Sequence, residues 1–346
     1  MNAWGGPARS TAGSGGALLR RAAGRLGSIA LLVPLLSFGS FALVHAIPGA
    51  AETLIVGGHP GAGSDFAERV RRLRALDRSV PERYRCWLLG RDATGCDWWV
   101  GGQGVLRGDL GSSRVHGRPV AALLAERWPR TLALMGPAFL LGVGLALPLG
   151  AWSALRRGRA LDRWTAGLGL IGVSVPLHWV GMGAIAVFGV RLGWLPTSGL
   201  GGSGFAAGAH LVLPAGVTGL FFAARWMRYV RAEVADALGA PFARAARARG
   251  LPERRVLGAS LRAALPPVIT VIGHSLPLLV SGSVVVERVF VFPGMGALLL
   301  DAVLGDDHLT AALLLALYSA ATLFAAALAD LLAAALDPRA RGALAR

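Results

Sequence analysis

Histidine, cysteine and serine are the residues of this chain with the most obvious catalytic or metal-binding chemistry. The seven histidines are scattered, and none forms the HExxH pattern of a zinc hydrolase. Two cysteines without neighbouring histidines do not complete a zinc site. A serine hydrolase is the remaining catalytic alternative, with Ser281 or Ser283 as nucleophile and His178 or His274 as base. Small residues such as serine also fill membrane helices for packing alone, so we expect no catalytic residue, cofactor or metal.

Arginine supplies every positive charge. The chain has 35 basic residues, none of which is lysine, and a formal net charge of +16. A phosphate-binding P-loop and a Schiff-base enzyme both need a lysine, so neither class fits. A charge of this sign would suit nucleic acid, but apolar segments of membrane-span length separate the arginines. We therefore expect arginines that flank and orient membrane spans, and no nucleic-acid partner.

The elements that must position these residues are apolar. Hydrophobic residues make up 54% of the chain, and its 49 glycines match the enrichment seen in membrane helices. A membrane-spanning helix needs about 20 mainly apolar residues. Six segments satisfy this requirement: 28–47, 131–154, 164–190, 210–230, 264–286 and 309–335. The sequence therefore predicts an all-α membrane protein with about six transmembrane helices.

The short arginine-rich segments predict the orientation of these spans. With six spans, the N-terminal segment 1–27, the link 155–163, the loop 231–263 and the tail 339–346 fall on one side. Arginine in short loops marks the cytoplasmic side, so both termini should be cytoplasmic. The five later spans would form a five-helix core over 131–338. A cleaved signal peptide ending at residue 46, which would leave five spans, is the alternative.

The predicted extracytoplasmic loop 48–130 holds both cysteines. Apolar residues at helical spacing predict a helix over Phe66–Leu76. Cys86 and Cys96 follow, and an oxidising compartment favours a disulfide between them. Two free thiols are the alternative. No function for the Cys86–Cys96 segment follows from the sequence.

The loop 231–263 carries the densest group of arginines. Gly250 can end one short helix, Pro252 suits the first position of the next, and Glu253 favours the positive end of that helix. This pattern predicts a two-helix elbow that docks a soluble partner. The alternative is an amphipathic helix lying on anionic lipid.

Polar residues at membrane depth are candidates for a translocation path. Two groups qualify: Ser174, Pro176, His178 and Trp179 in the third span, and His274 with Ser275 in the fifth. An ion-coupled secondary transporter is an alternative function, but its carboxylate should lie near mid-span. Glu287 and Asp330 lie towards span ends. A histidine satisfied inside the bundle is equally compatible with the pattern.

The chain resembles the transmembrane permease subunits of ABC importers of the dipeptide, oligopeptide and nickel type. The motifs that carry the resemblance, in order along nearly the whole chain, are Pro48-Gly49, Gly108-Asp109-Leu110-Gly111, Gly117-Arg118-Pro119-Val120, Arg191-Leu192-Gly193-Trp194-Leu195-Pro196, the run 246–257, Val286-Glu287, Phe292-Pro293-Gly294-Met295-Gly296 and Leu336-Asp337-Pro338-Arg339. The family's cytoplasmic signature matches Ala245, Ala246 and Gly250, whereas Arg244 stands where the general signature has Glu. The Cys86–Cys96 segment resembles an insertion.

This resemblance implies a multi-pass subunit of the bacterial inner membrane, surrounded by lipid, that forms a path for short peptides, nickel chelates or other small solutes. It implies as partners a second permease subunit, two ATPase subunits that bind ATP and magnesium, and an extracytoplasmic solute-binding protein. The residues expected to contact the ATPase are Phe242, Arg244, Ala245, Ala246, Arg249, Gly250, Leu251, Glu253 and Arg254. Those expected along the path are Ser174, Pro176, His178, Trp179, His274, Ser275 and Glu287.

Overall fold

The computed structural model describes residues 12–46, 78–99, 102–202 and 205–336. The helices are α1 (Ala12–Ala46), α2 (Val80–Leu89), α3 (Val120–Leu155), α4 (Ala160–Ser174), α5 (Leu177–Ala184), α6 (Phe205–Gly239), α7 (Pro241–Ala248), α8 (Glu253–His274), α9 (Leu276–Val289), α10 (Met295–Leu304) and α11 (His308–Leu336). A 3₁₀ turn covers Val105–Arg107, and π-helical turns cover Ile185–Arg191. The predicted helix over Phe66–Leu76, the Pro48-Gly49 motif and the C-terminal tail lie outside the described residues.

The all-α prediction is confirmed. Within the described residues the sole β-type pairing is an isolated bridge between Ser112 and Pro119, and no strand forms. The segments long and apolar enough to cross a membrane are Ala23–Val44, Val120–Leu155, Ala207–Gly239, Glu253–Val289 and His308–Leu332. Five of the six predicted spans thus overlap one of these long apolar segments, and the segment of the fifth span comprises α8 and α9, which meet at Ser275.

The segment 164–190, predicted as one span, is divided. Helix α4 ends at Ser174, and α5 begins at Leu177 after Pro176. Proline has no amide proton, and its ring disfavours the helical conformation at Val175 before it. Neither α4 nor α5 with its π-helical turns reaches the length of a full span.

The core of the bundle is the seam between α3 and α6, which pack along much of their length. Small residues allow this approach. A Cβ on Gly150 would lie 2.7 Å from Cβ of Val230, and one on Gly219 would lie 2.8 Å from the Ala138 carbonyl oxygen. Trp226 is fully buried in this seam. Glycine at these places lets the two backbones come closer than any larger residue would.

A cap, formed by residues 78–99 and 102–119, covers one end of the bundle. Cys86 and Cys96 are joined by a disulfide, with their Cα atoms 5.4 Å apart. The cap packs on the bundle through a buried cluster of Phe41, Cys86, Trp87, Cys96, Trp99, Val120, Ala312 and Leu313. The cap is therefore fixed to α1 and to the start of α11.

Polar contacts also anchor the cap. The Asp307 carboxylate, just before α11, accepts hydrogen bonds from Ser113 Oγ at 2.7 Å and from the Arg114 amide at 2.8 Å. Within the cap, the amides of Gln103 and Gly111 donate to Asp109 and hold the pKa of its carboxyl below its ordinary value. The ionised carboxylate of Asp109 therefore stabilises the loop of the Gly108-Asp109-Leu110-Gly111 motif.

Candidate functional site

The elbow, formed by α7, the turn 249–252 and the first turn of α8, lies at the end of the bundle opposite the cap. Pro241 begins α7, where its missing amide proton is not needed. Gly250 has φ +73°, and its amide donates to the Arg247 carbonyl at 2.8 Å, which closes the helix. Pro252 precedes α8, and Glu253 occupies its first turn. The predicted two-helix elbow is present.

The two faces of the elbow differ in chemistry. Ala243, Ala246 and Val256 are buried together, with Leu251 partly buried against them. The opposite face presents Phe242, which is 41% exposed, together with exposed Arg244, Ala245 and Arg249. Of the nine residues expected to contact a partner, Ala246 and Leu251 therefore face the chain's own core. The other seven lie at the surface.

The elbow is held in place by hydrogen bonds to neighbouring elements. Arg247 donates to Glu253 at 2.7 Å and to the Leu238 carbonyl, at the end of α6, at 3.1 Å. Ser260 Oγ lies 3.4 Å from the Ala237 carbonyl oxygen. These contacts join α7 and α8 to the end of α6, so the three helices should move together.

Three exposed arginines of the elbow have no acidic partner within the described part of the chain. Among the described residues, Arg244, Arg249 and Arg254 make no ion pair. The one carboxylate within the elbow, Glu253, is already bound to Arg247. The outer face therefore combines one exposed aromatic ring with uncompensated positive charge, a combination enriched in protein interfaces.

A second polar cluster lies beside the elbow. Asp162, which is 6% exposed, receives Nε and Nη2 of Arg231, the latter at 2.9 Å. It also accepts the Gly158 amide and Ser153 Oγ, each at 2.8 Å. The Arg231 guanidinium has the largest effect on the Asp162 carboxyl and the Gly158 amide the next largest. Together they hold the pKa of this carboxyl well below its usual range.

Sequence reasoning missed the Asp162 cluster. Residues 155–163 were interpreted as a basic link that orients two spans. The available signal was the single carboxylate among four arginines. No pattern in the sequence indicated that it pairs with Arg231, which is 69 positions away.

The residues expected along a translocation path occupy separate environments. Ser174, Pro176, His178 and Trp179 surround the break between α4 and α5, and all four are exposed, Trp179 at 65%. In contrast, His274 lies where α8 meets α11, with Nε2 3.2 Å from Asp330, and Asp330 also pairs with Arg25 of α1. Ser275 Oγ donates to the Val271 carbonyl at 2.9 Å. The structure therefore does not bring the two groups together.

Glu287 is fully buried at the end of α9. Its carboxylate accepts Thr131 Oγ1 at 2.7 Å and the Ala297 amide at 2.9 Å, and Thr131 in turn accepts the Met295 amide at 2.8 Å. A Cβ on Gly294 would lie 2.3 Å from this carboxylate. Glu287 thus caps the N-terminus of α10 and joins it to α3 and α9. Contact with cargo remains a prediction for this residue.

Comparisons with known proteins converge on one family. Residues 146–342 match the family described as "Binding-protein-dependent transport system inner membrane component". The chain is 34% identical to the glutathione transport system permease protein GsiC of Escherichia coli over 302 residues, which are 87% of this chain and 92% of that protein. It is 36% identical to the oligopeptide transport system permease protein AppB of Bacillus subtilis over 248 residues, which are 70% of this chain and 78% of that protein.

Proposed function

The chain belongs to the family of inner membrane components of binding-protein-dependent transport systems, and from this premise we propose that partner ATPases act on it through the elbow. It is a multi-pass permease subunit of the bacterial inner membrane. The one observation that carries the proposal is the elbow's geometry: a buried alanine face packs α7 on the start of α8, Arg247 bonds to the end of α6, and the opposite face offers Phe242 among arginines that make no ion pair with the described residues.

The buried face makes the elbow a mechanical part of the bundle. Ala243 and Ala246 pack on Val256 of α8, and Arg247 bonds to the end of α6. A displacement imposed on α7 therefore moves α6 and α8 together. A mobile basic loop, or a helix resting on lipid, would have no such attachment.

The exposed face defines the partner surface. Phe242 requires an apolar pocket, and Arg244 and Arg249 require carboxylates at its rim. Because Arg244 stands where the general family signature has Glu, the contact does not depend on a carboxylate at that position. We propose that each ATPase of the transporter presents such an acid-rimmed pocket.

The remaining partners follow from the same family. Lysine is absent, so no P-loop of the usual kind exists in this chain, and the energy comes from ATP hydrolysed elsewhere. We propose an assembly with a second permease subunit, two ATPases and a solute-binding protein. The names of the relatives, a glutathione and an oligopeptide permease, favour short peptides as cargo. Nickel chelates or other small solutes are the alternative.

The orientation and the path complete the proposal. Arginine-rich short loops support a cytoplasmic elbow, and the disulfide-bonded cap suits the oxidising extracytoplasmic side. We propose that the break between α4 and α5 borders the path, because Pro176 opens the backbone there and His178 is exposed beside it. His274 is a weaker candidate for the path, since its Nε2 already contacts the Asp330 carboxylate.

Replacing Phe242 tests the elbow assignment. Phe242→Ala should weaken binding of the ATPase subunits about tenfold or more, because a central aromatic anchor typically contributes at least 1–2 kcal/mol to an interface. Phe324→Ala in α11 is the matched control, since Phe324 is also exposed but lies within a span. The measurement is the amount of co-expressed ATPase that co-purifies with each variant.

Unchanged ATPase binding by Phe242→Ala would contradict the elbow assignment. The purified chain alone should hydrolyse no ATP, whereas its complex with the ATPase subunits should hydrolyse it. Uptake driven by an ion gradient in vesicles without any ATPase would instead support the ion-coupled transporter.

A further inference from the structure

The ion pair between Asp162 and Arg231 lies on the route from the elbow to the helices that it must move. Arg231 is on α6, ten residues before Pro241, and lies about 12 Å along the helix from its end at Gly239. Asp162 is on α4, in the first turn after the tight link from α3. The pair therefore joins α6, which leads into the elbow, to α4 and, through the link, to α3.

The pair is built more extensively than an ordinary surface ion pair. Both carboxylate oxygens of Asp162 accept guanidinium N–H groups from Arg231, a two-point contact that fixes direction as well as distance. The same carboxylate binds the Gly158 amide and Ser153 Oγ, and Ser153 Oγ lies 2.7 Å from Thr165 Oγ1. Asp162 thus fastens the end of α3, the α3–α4 link and the start of α4 at one point.

Close packing continues beyond the ion pair. A Cβ on Gly169 would lie 2.5 Å from the Arg228 side chain, and a Cβ on Gly172 would lie 2.7 Å from Cβ of Ala224. Helix α4 therefore contacts α6 over about two turns above the ion pair. Close packing of this kind transmits displacement, whereas the two-point ion pair prevents the helices from sliding past each other.

We propose that Asp162 and Arg231 are positioning residues that transmit movement of the elbow to α3 and α4. This inference rests on the proposed action of ATPases at the elbow. It goes beyond that proposal by naming the contact through which the movement leaves α6. Because α4 leads to the exposed break before α5, the same contact links the elbow to the candidate path.

The test measures movement directly in the complete transporter, assembled with its partner subunits in lipid. Spin labels are placed on cysteines introduced at Trp164 of α4 and Phe324 of α11, both exposed. The native cysteines form the disulfide and do not react. In the parent protein, adding ATP with vanadate should change the distance between the labels.

Asp162→Asn and Arg231→Gln should each abolish this distance change while leaving the ATPases bound and active. Asp162→Asn can still accept the Gly158 amide, so the α3–α4 link should persist. Arg163→Gln is the matched control, because Arg163 is an exposed arginine next to Asp162 on α4 with no ion pair among the described residues. It should behave as the parent does.

Three results would overturn the inference. The first is a full distance change in Asp162→Asn, and the second is a loss of movement that only parallels loss of bound ATPase. The third is a parent transporter that binds ATPases but shows no movement of α4. Gly250→Asp distinguishes failure of this inference from failure of the elbow proposal. If ATPases do not act at the elbow, Gly250→Asp should leave both ATPase binding and the distance change intact.

Discussion

Reducing the Cys86–Cys96 disulfide should loosen the cap without changing any residue. The bond connects the end of α2 to the turn that follows it, across a sequence separation of 10. Both sulfurs are buried, so the reduced protein keeps the same side chains in the same cluster. The perturbation therefore isolates the covalent link from the packing around it.

The expected magnitude follows from loop closure. For a separation of 10 residues, the chain-entropy relation gives a stabilisation of about 2.7 kcal/mol at 25 °C. A free-energy difference of this size corresponds to about a hundredfold change in an opening equilibrium. Reduction should therefore raise the population of the opened cap about a hundredfold.

Amide hydrogen exchange is the appropriate assay, because it reports local opening. The amides of Gly90, Cys96 and Trp99 donate to carbonyls 2.8–2.9 Å away within the cap. In the protein treated with a phosphine reductant, their exchange should accelerate about a hundredfold, as an opening equilibrium of that size requires. Amides around Trp226 in the α3–α6 seam should be unaffected.

The double variant Cys86→Ser with Cys96→Ser is the control, because its exchange should be fast with or without reductant. Exchange in the cap that reduction accelerates less than about threefold would refute the chain-entropy reasoning. Two free thiols in protein purified without reductant would refute the disulfide itself.

Three further outcomes are expected. Gly250→Ala should reduce ATP-driven uptake several-fold, because a side chain at φ +73° costs about 1–2 kcal/mol. Gly258→Ala within α8 should leave uptake unchanged, and equal uptake by both variants would count against the elbow turn. Gly150→Ala should lower the melting temperature by forcing α3 and α6 apart, at a cost of about 1–3 kcal/mol, and Gly144→Ala, with open space around it, should not; the reverse order would contradict the seam. Glu287→Gln should speed hydrogen exchange at the start of α10 by weakening a charge-assisted cap, and unchanged exchange there would show that the charge is not required.

Local patterns were sufficient to predict the helical class, five long apolar segments and the elbow. Each depends on neighbouring residues: hydrophobic runs for the spans, and Gly250 followed by Pro252 for the turn. The break at Pro176 escaped the hydropathy pattern because Val175, Pro176 and Leu177 are all apolar. A hydropathy scale does not register that Pro176 lacks a backbone N–H group and so interrupts the helix.

Long-range contacts were not predictable from the same patterns. The sequence predicts Glu287 as a polar residue along the path, which stays a prediction. It does not predict the capping contact, because the amide comes from α10, beyond a turn whose direction the sequence does not specify. His274 was placed on the path because it lies within a span. Its neighbour Asp330 is 56 positions away, and only the packing of α8 on α11 brings the two together.

Cysteine placed at Ala245 tests the central claim most directly. Ala245 is exposed on the outer face of α7, and the two native cysteines are bonded to each other, so the new thiol would be the one reactive sulfur. We expect this thiol to cross-link to a co-expressed ATPase subunit and to resist impermeant maleimide added outside intact cells. Labelling from outside, or an assembled transporter in which no ATPase cross-links to this position, would contradict the proposal that ATPases act through the elbow.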